Sequence, residues 1–187
     1  MSTEYTETRK MVLKELDTAL SSVDEGQVEQ LIDVISNAQQ VFFIGVGRVM
    51  LALQAIAKRL AHLGIQAHYV GEITEPCLTE NDVLIVGSGS GNTLFPVAIA
   101  NKAHSVGAKV VHIGSNPNSA IAGITDLMVR IPVRTKFYLE DEIDSEQPMT
   151  TLFEQSLLLL GDIVAKMIID RRQIDIKELW RYHANME

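Results

Sequence analysis

The chain has 187 residues, of which 47% are hydrophobic and 21% charged, and carries a formal net charge of -8. Such a balance describes a folded globular chain, and without a basic stripe it excludes broad binding along DNA or RNA. A single cysteine, Cys77, excludes an internal disulfide framework and a Cys-rich metal site.

The start, Met1 to Lys10, is polar, unlike a secretory leader. Apolar positions Met11, Val12, Leu16, Ala19 and Leu20 then recur at helical spacing, predicting a helix over Thr6 to Ser21. Val23-Asp24-Glu25-Gly26 interrupts it, and Asp24 is placed to cap a second helix reaching about Asn37. The period then changes. Gln40 to Val46 is short, β-branched and aromatic, and reads as a buried strand.

Helix and strand alternate from there. Arg48 to Leu63 predicts a helix closed by Gly64, Gln66 to Val70 a strand, and Asp82 to Val86 another. Asn92 to Val106 predicts a helix closed by Gly107, followed by a strand over Lys109 to Ile113. A short helix around Asn118 to Ala122 and a last strand, Asp126 to Ile131, complete the series. Continuous apolar strands separated by helices predict a parallel sheet covered on both faces. The expected fold is α/β, a flavodoxin-like three-layer sandwich of five parallel strands in the order 2-1-3-4-5, with two extra N-terminal helices.

Val133 to Pro148 is acidic and aperiodic and reads as a loop. Met149 to Asp170 predicts a helix apolar around most of its circumference, which must pack on the sheet or on another subunit. Gly161, Asp162 and Lys166 break its apolar run, so no membrane span is expected. Ile174 to Ala184 predicts a final short helix. The expected organisation is a single domain over residues 1–187, with N-terminal helices at 1–38, an α/β core at 39–148 and C-terminal helices at 149–187. A cytoplasmic homo-oligomer is the expected form.

In open parallel sheets, ligands bind beyond the carboxyl ends of the strands, where the strand order reverses. Two glycine-rich turns fall there. In Gly87-Ser-Gly-Ser-Gly-Asn-Thr93, glycines alternate with hydroxyl residues just before a helix. Glycines let backbone N–H groups close around an anion, Ser88, Ser90 and Thr93 add hydroxyls, and the helix points its positive end at the same place. A flexible connector would need fewer glycines, and no Gly-Lys-Ser/Thr ending makes this a nucleotide P-loop.

The other turn, Gly45-Val-Gly-Arg48, begins like a dinucleotide fingerprint, and Glu72 stands where a ribose-binding acid would. Met50 replaces the third glycine, however, which disfavours NAD. Arg48 opens a helix against the dipole, which fits service to a ligand or an acidic partner. His62, His68, His104 and His112 share no ligand spacing, so no metal is expected.

Taken together, Gly45-Val-Gly-Arg48, Gly71-Glu-Ile-Thr-Glu-Pro76 and Ser88-Gly-Ser-Gly-Asn-Thr93 resemble a sugar isomerase (SIS) domain. With Met149-Thr-Thr-Leu-Phe-Glu154 and the ending Tyr182-His-Ala-Asn-Met-Glu187, the pattern is similar to 6-phospho-3-hexuloisomerases. The resemblance implies a tetramer without metal or cofactor that interconverts 3-hexulose 6-phosphate and fructose 6-phosphate. It implies phosphate binding by Ser88, Ser90 and Thr93; Gly89 in the same turn, and Gly47 and Arg48 in the other, are expected to bind substrate beside them. Glu154 is the implied base, and His183 the histidine that reaches a neighbouring subunit's site. Val49, where the pattern has serine, and Asn92, where it commonly has glutamate, are departures that bear on the choice of sugar.

Moving a carbonyl between adjacent carbons needs a base at carbon and an acid for the enediolate. Glu154 aligns at helical spacing with Leu158, Gly161 and Ala165, which predicts an apolar face that raises its proton affinity. Glu72 is expected to accept from sugar hydroxyls or to hold Arg48. Two other readings share these residues: a sugar-phosphate sensor without turnover, and an isomerase of a different phosphosugar. Regulatory SIS modules are usually joined to a DNA-binding segment, and nothing before Gln40 resembles a basic recognition helix.

Overall fold

A computed structural model describes residues 3–186. Met1, Ser2 and Glu187, the outermost positions of the expected polar start and of the Tyr182-to-Glu187 ending, lie outside the described residues. Two helices, α1 (Glu4–Ser21) and α2 (Glu25–Asn37), lead into β1 (Val41–Ile44), α3 (Arg48–Ala61), β2 (Ala67–Tyr69) and β3 (Val83–Gly87). Then follow α4 (Leu94–Val106), β4 (Lys109–Gly114), β5 (Leu127–Arg130) and α5 (Thr151–Arg171). As expected, Asp24 caps α2 by accepting the Gln27 N–H at 2.8 Å. Gly107, at φ 94°, ends α4 in the left-handed conformation that glycine adopts without strain.

All strand pairs are parallel, in the order β2-β1-β3-β4-β5. The chain therefore reverses its winding between β1 and β3, which are direct neighbours with Ile44 opposite Val86. Alternation along β1 divides the interior. Val41 and Phe43 join Leu31, Ile56, Leu60 and Leu160 on one face, while Phe42 and Ile44 join Val86, Ala100 and Ile121 on the other. Helices α1, α2, α3 and α5 thus lie on one side of the sheet, and α4 on the other.

Helices α3 and α5 approach closely because Gly161 has no side chain; a Cβ there would fall 2.3 Å from Ile56. That contact runs the two helices together, so that their first turns, at Arg48 and Glu154, open beside each other. Inward, α5 is covered by α1, α2 and α3. Outward, Leu159 and Ile163 remain 37% and 43% exposed.

Two local expectations need correction, and a third gains detail. The short helix expected over Asn118 to Ala122 is a 3-10 turn at Ala122–Ile124. Asn116 accepts the Asn118 N–H through Oδ1 (2.9 Å), a side-chain turn that competes with helix at these residues. The C-terminal helix is also 3-10, over Ile176–Tyr182. Segment 133–148 is a loop, but a fastened one. Val133 bridges Ile143, and Glu15 of α1 accepts from the Ser145 hydroxyl, the Glu146 N–H and the Gln147 side chain.

Candidate functional site

Beyond the carboxyl ends of β1 and β3 lies a cavity of about 930 Å³. One wall is the turn after β3. Peptide planarity makes its geometry readable, since each carbonyl points opposite to the N–H of the same peptide unit. The Ser88 carbonyl is held from behind by His112 Nε2 (2.8 Å). The Gly89 carbonyl accepts from both Ser115 N (2.9 Å) and Asn116 N (3.1 Å). The N–H groups of Gly89 and Ser90 are consequently turned away from β4, on the side of the turn that lines the cavity. Among the described residues, neither N–H donates to a protein acceptor.

The hydroxyls are arranged to donate outward. Ser88 Oγ accepts the Gly91 N–H (3.1 Å) and Ser90 Oγ the Asn92 N–H (3.3 Å), which leaves their protons for another acceptor. Ser88 Oγ and Thr93 Oγ1 are hydrogen-bonded at 3.2 Å with either as donor, so one proton of this pair is used between them and the other is free to point outward. Thr93 therefore does not cap α4, and the helix presents its first N–H groups and dipole uncapped. A donor nest at a helix start suits an anion with several oxygens, such as a phosphate.

Two close approaches fix this turn. Gly91 has φ 62°, and a Cβ there would stand 2.4 Å from Ser119. A Cβ on Gly114 would stand 2.2 Å from His112 Nε2. His112 is 1% exposed, and burial holds its proton affinity below the ordinary value, against the opposing bond to the Ser88 carbonyl. Its Nε2 must carry hydrogen, because a carbonyl can only accept.

The facing wall comes from α3, α5 and the 133–148 loop. Arg48 Nε donates to Glu154 Oε2, with the Arg48 side chain 66% exposed and that of Glu154 only 11%. Thr150 Oγ1 donates to Glu154 Oε1 at 2.9 Å. Glu154 is thus held by polar partners on both oxygens, which corrects the expected apolar setting. The cause is the α3–α5 contact, which brings Arg48 to the start of α5. Thr135, Lys136 and Tyr138 supply the rim. The Glu142 carboxylate ties it down, accepting from the Thr135 and Leu139 N–H groups and from the Ser115 hydroxyl.

The cavity collects Gly47, Arg48, Ser88, Gly89, Ser90, Thr93 and Glu154. Glu72 is elsewhere: it binds His68 Nδ1 at 2.8 Å, while Arg48 takes Glu154 in its place. His183 sits at the C-terminal end against His62 and Trp180, with ring centroids 5.3 and 5.0 Å apart, and does not line the cavity within one chain. Sequence reasoning missed His112, Ser115, Thr135, Lys136, Glu142 and Thr150. Only Thr150, one helical turn before Glu154, carried a readable signal. Among the described residues, no group of three or more His, Cys, Asp or Glu residues could hold a metal, and no helix is long and apolar enough to cross a membrane.

Comparison with known proteins supplies a second line of evidence. The SIS domain matches residues 34–161. A Bacillus subtilis protein named 3-hexulose-6-phosphate isomerase is 38% identical over 94% of this chain and 95% of its own. One of the same name from Mycobacterium gastri is 35% identical over 98% and 92%. Among solved structures, a Methanococcus jannaschii protein for which a function of 3-hexulose-6-phosphate isomerase was inferred superposes with a TM-score of 0.82. It is 31% identical, covering 97% of this chain and 99% of that one.

Proposed function

The chain belongs to the SIS domain family, and from that premise we propose that it is a sugar-phosphate isomerase converting 3-hexulose 6-phosphate to fructose 6-phosphate and back. The observation that carries this reading is the opposition, across one cavity, of the donor nest at Ser88–Thr93 and the carboxylate of Glu154. The nest holds the phosphate, which anchors one end of the sugar and leaves the carbonyl end to reach the facing wall.

Glu154 removes the proton from C2 of the 3-ketose. The electron pair moves into a C2–C3 enediolate, and the same carboxyl returns a proton to C3, leaving the carbonyl at C2. The O2 hydroxyl proton is lost and O3 gains one, so atoms and charge balance. Arg48, beside Glu154, is placed to stabilise negative charge that develops on the sugar oxygens. In this scheme no cofactor takes part.

The exposed Leu51, Leu159 and Ile163 on α3 and α5 favour a homo-oligomer, for which we propose a tetramer. In that assembly, His183 and Glu72, which do not line their own chain's cavity, would serve a neighbour's. The protein acts in the cytoplasm, as one domain. The test is incubation with fructose 6-phosphate in heavy water. Deuterium at C3 is the expected result. Binding without exchange would make the protein a sensor, and neither binding nor exchange would point to another phosphosugar.

A further inference from the structure

We infer that Thr150 is the positioning residue of the proton-abstracting carboxylate, an assignment that rests on reading Glu154 as the base. Thr150 stands at the N-cap of α5. A threonine there ordinarily accepts an N–H from the first helical turn. This one makes no cap bond. Its hydroxyl instead donates to Glu154 Oε1 at 2.9 Å, one turn along. A local rule of helix formation is thus given up at a cavity wall, the kind of place where such concessions accompany function.

The backbone around Thr150 is built to aim it. Met149, immediately before, has φ 54°, a left-handed conformation that costs a non-glycine residue about 1–3 kcal/mol. Thr151 anchors the other side, through Oγ1 and N to the Pro148 carbonyl at 2.7 and 3.2 Å. The hydroxyl of Thr150 is therefore presented by a fixed turn, on a side chain with one rotor.

The second partner of Glu154 is of a different kind. Arg48 reaches it with a long side chain that is 66% exposed, on the same cavity wall. An anionic sugar entering the cavity competes for that guanidinium. When Arg48 turns toward substrate oxygens, Thr150 remains the donor that keeps Oε1 fixed, and Oε2 is released to take the proton from carbon. The division of labour is geometric: Thr150 orients and Arg48 exchanges partners.

The experiment compares Thr150→Val, which keeps the shape and loses the hydroxyl, with Thr150→Ser, which keeps the hydroxyl. Glu154→Gln is the control, and exchange into fructose 6-phosphate in heavy water is the assay. A misplaced reacting group costs on the order of 10²-fold in rate. Thr150→Val is expected to lower kcat by about that factor with KM changed less than about two-fold, and Thr150→Ser to recover most of the loss. The kcat-against-KM split and the serine rescue are the readouts, because losing any hydrogen bond to the Glu154 carboxylate also lowers Tm, by roughly 2–4 °C per kcal/mol in a chain of this size.

Unchanged kcat in Thr150→Val, a KM rise in place of the kcat fall, or failure of serine to restore the rate would each overturn the assignment. If Glu154→Gln is inactive in the same series, the reading of the base survives that failure. If Glu154→Gln turns over like the parent, or the parent itself shows no exchange, the base and this inference fall together.

Discussion

The two walls of the cavity are made in opposite ways. The wall that carries the donor nest is nearly one stretch of chain, Gly87 to Thr93, whose residue types prescribe its shape. The facing wall is assembled from Arg48 on α3, residues 135–138 of a fastened loop, and Thr150 and Glu154 on α5, up to 106 residues apart. Under the proposed function, binding would be encoded locally and chemistry by tertiary packing. Substitutions in the first wall should chiefly change affinity, and those in the second chiefly rate.

The largest expected effect is on the second wall. Glu154→Gln should retain fructose 6-phosphate binding, measured by calorimetry, and lose turnover by on the order of 10³-fold. Turnover within a few-fold of the parent would remove the contrast between the walls.

Next in size is Gly91→Ala. At φ 62°, with Ser119 only 2.4 Å from the added Cβ, the substituted turn cannot keep its shape. Loss of about 1–3 kcal/mol of stability is expected in urea unfolding, together with loss of sugar-phosphate binding. A variant that binds normally would show that the turn need not be so tightly made.

Ser88→Ala sharpens the comparison from the binding side. It deletes a hydroxyl that supports Gly91 and has a proton to offer. A hydrogen bond to a charged group is worth about 1.5–3 kcal/mol, so KM should rise roughly 10- to 100-fold with kcat little altered. A kcat loss of that size with KM unchanged would place Ser88 with the chemistry instead.

The smallest effect lies where the second wall meets the N-terminal helix. Burial alone would raise the proton affinity of Glu15, but its bonds from Ser145, Glu146 and Gln147, and the nearby Arg134, hold the net value below the ordinary 4.5. A carboxyl depressed on folding stabilises the protein above its unfolded value and loses that contribution as pH falls through the folded one. Thermal melts should therefore show part of the acid loss of stability below about pH 4.5 missing in Glu15→Gln. Parallel pH profiles for the parent and this variant would contradict the link.

The same contrast explains what the sequence disclosed. The helix caps at Asp24 and Gly107 and the hydroxyl–glycine turn follow from local periodicity and backbone preference, and strand order from the handedness of crossovers, so all were legible. His112 was not. Its part depends on β4 lying beside β3, so that its ring reaches the Ser88 carbonyl 24 residues away. Glu142 and Thr135 sit in a segment without period, where only the fold reveals which amides a carboxylate collects. The polar surroundings of Glu154 were missed for the same reason: spacing along α5 showed its apolar neighbours, but the arginine arrives from another helix.

The anion nest itself can be watched directly. In a 15N-labelled sample titrated with fructose 6-phosphate, the backbone N–H signals of Gly89, Ser90 and Leu94 should show the largest shifts, saturating at the concentration that saturates exchange in heavy water. Saturable exchange with those amides unmoved would mean the phosphate is held elsewhere.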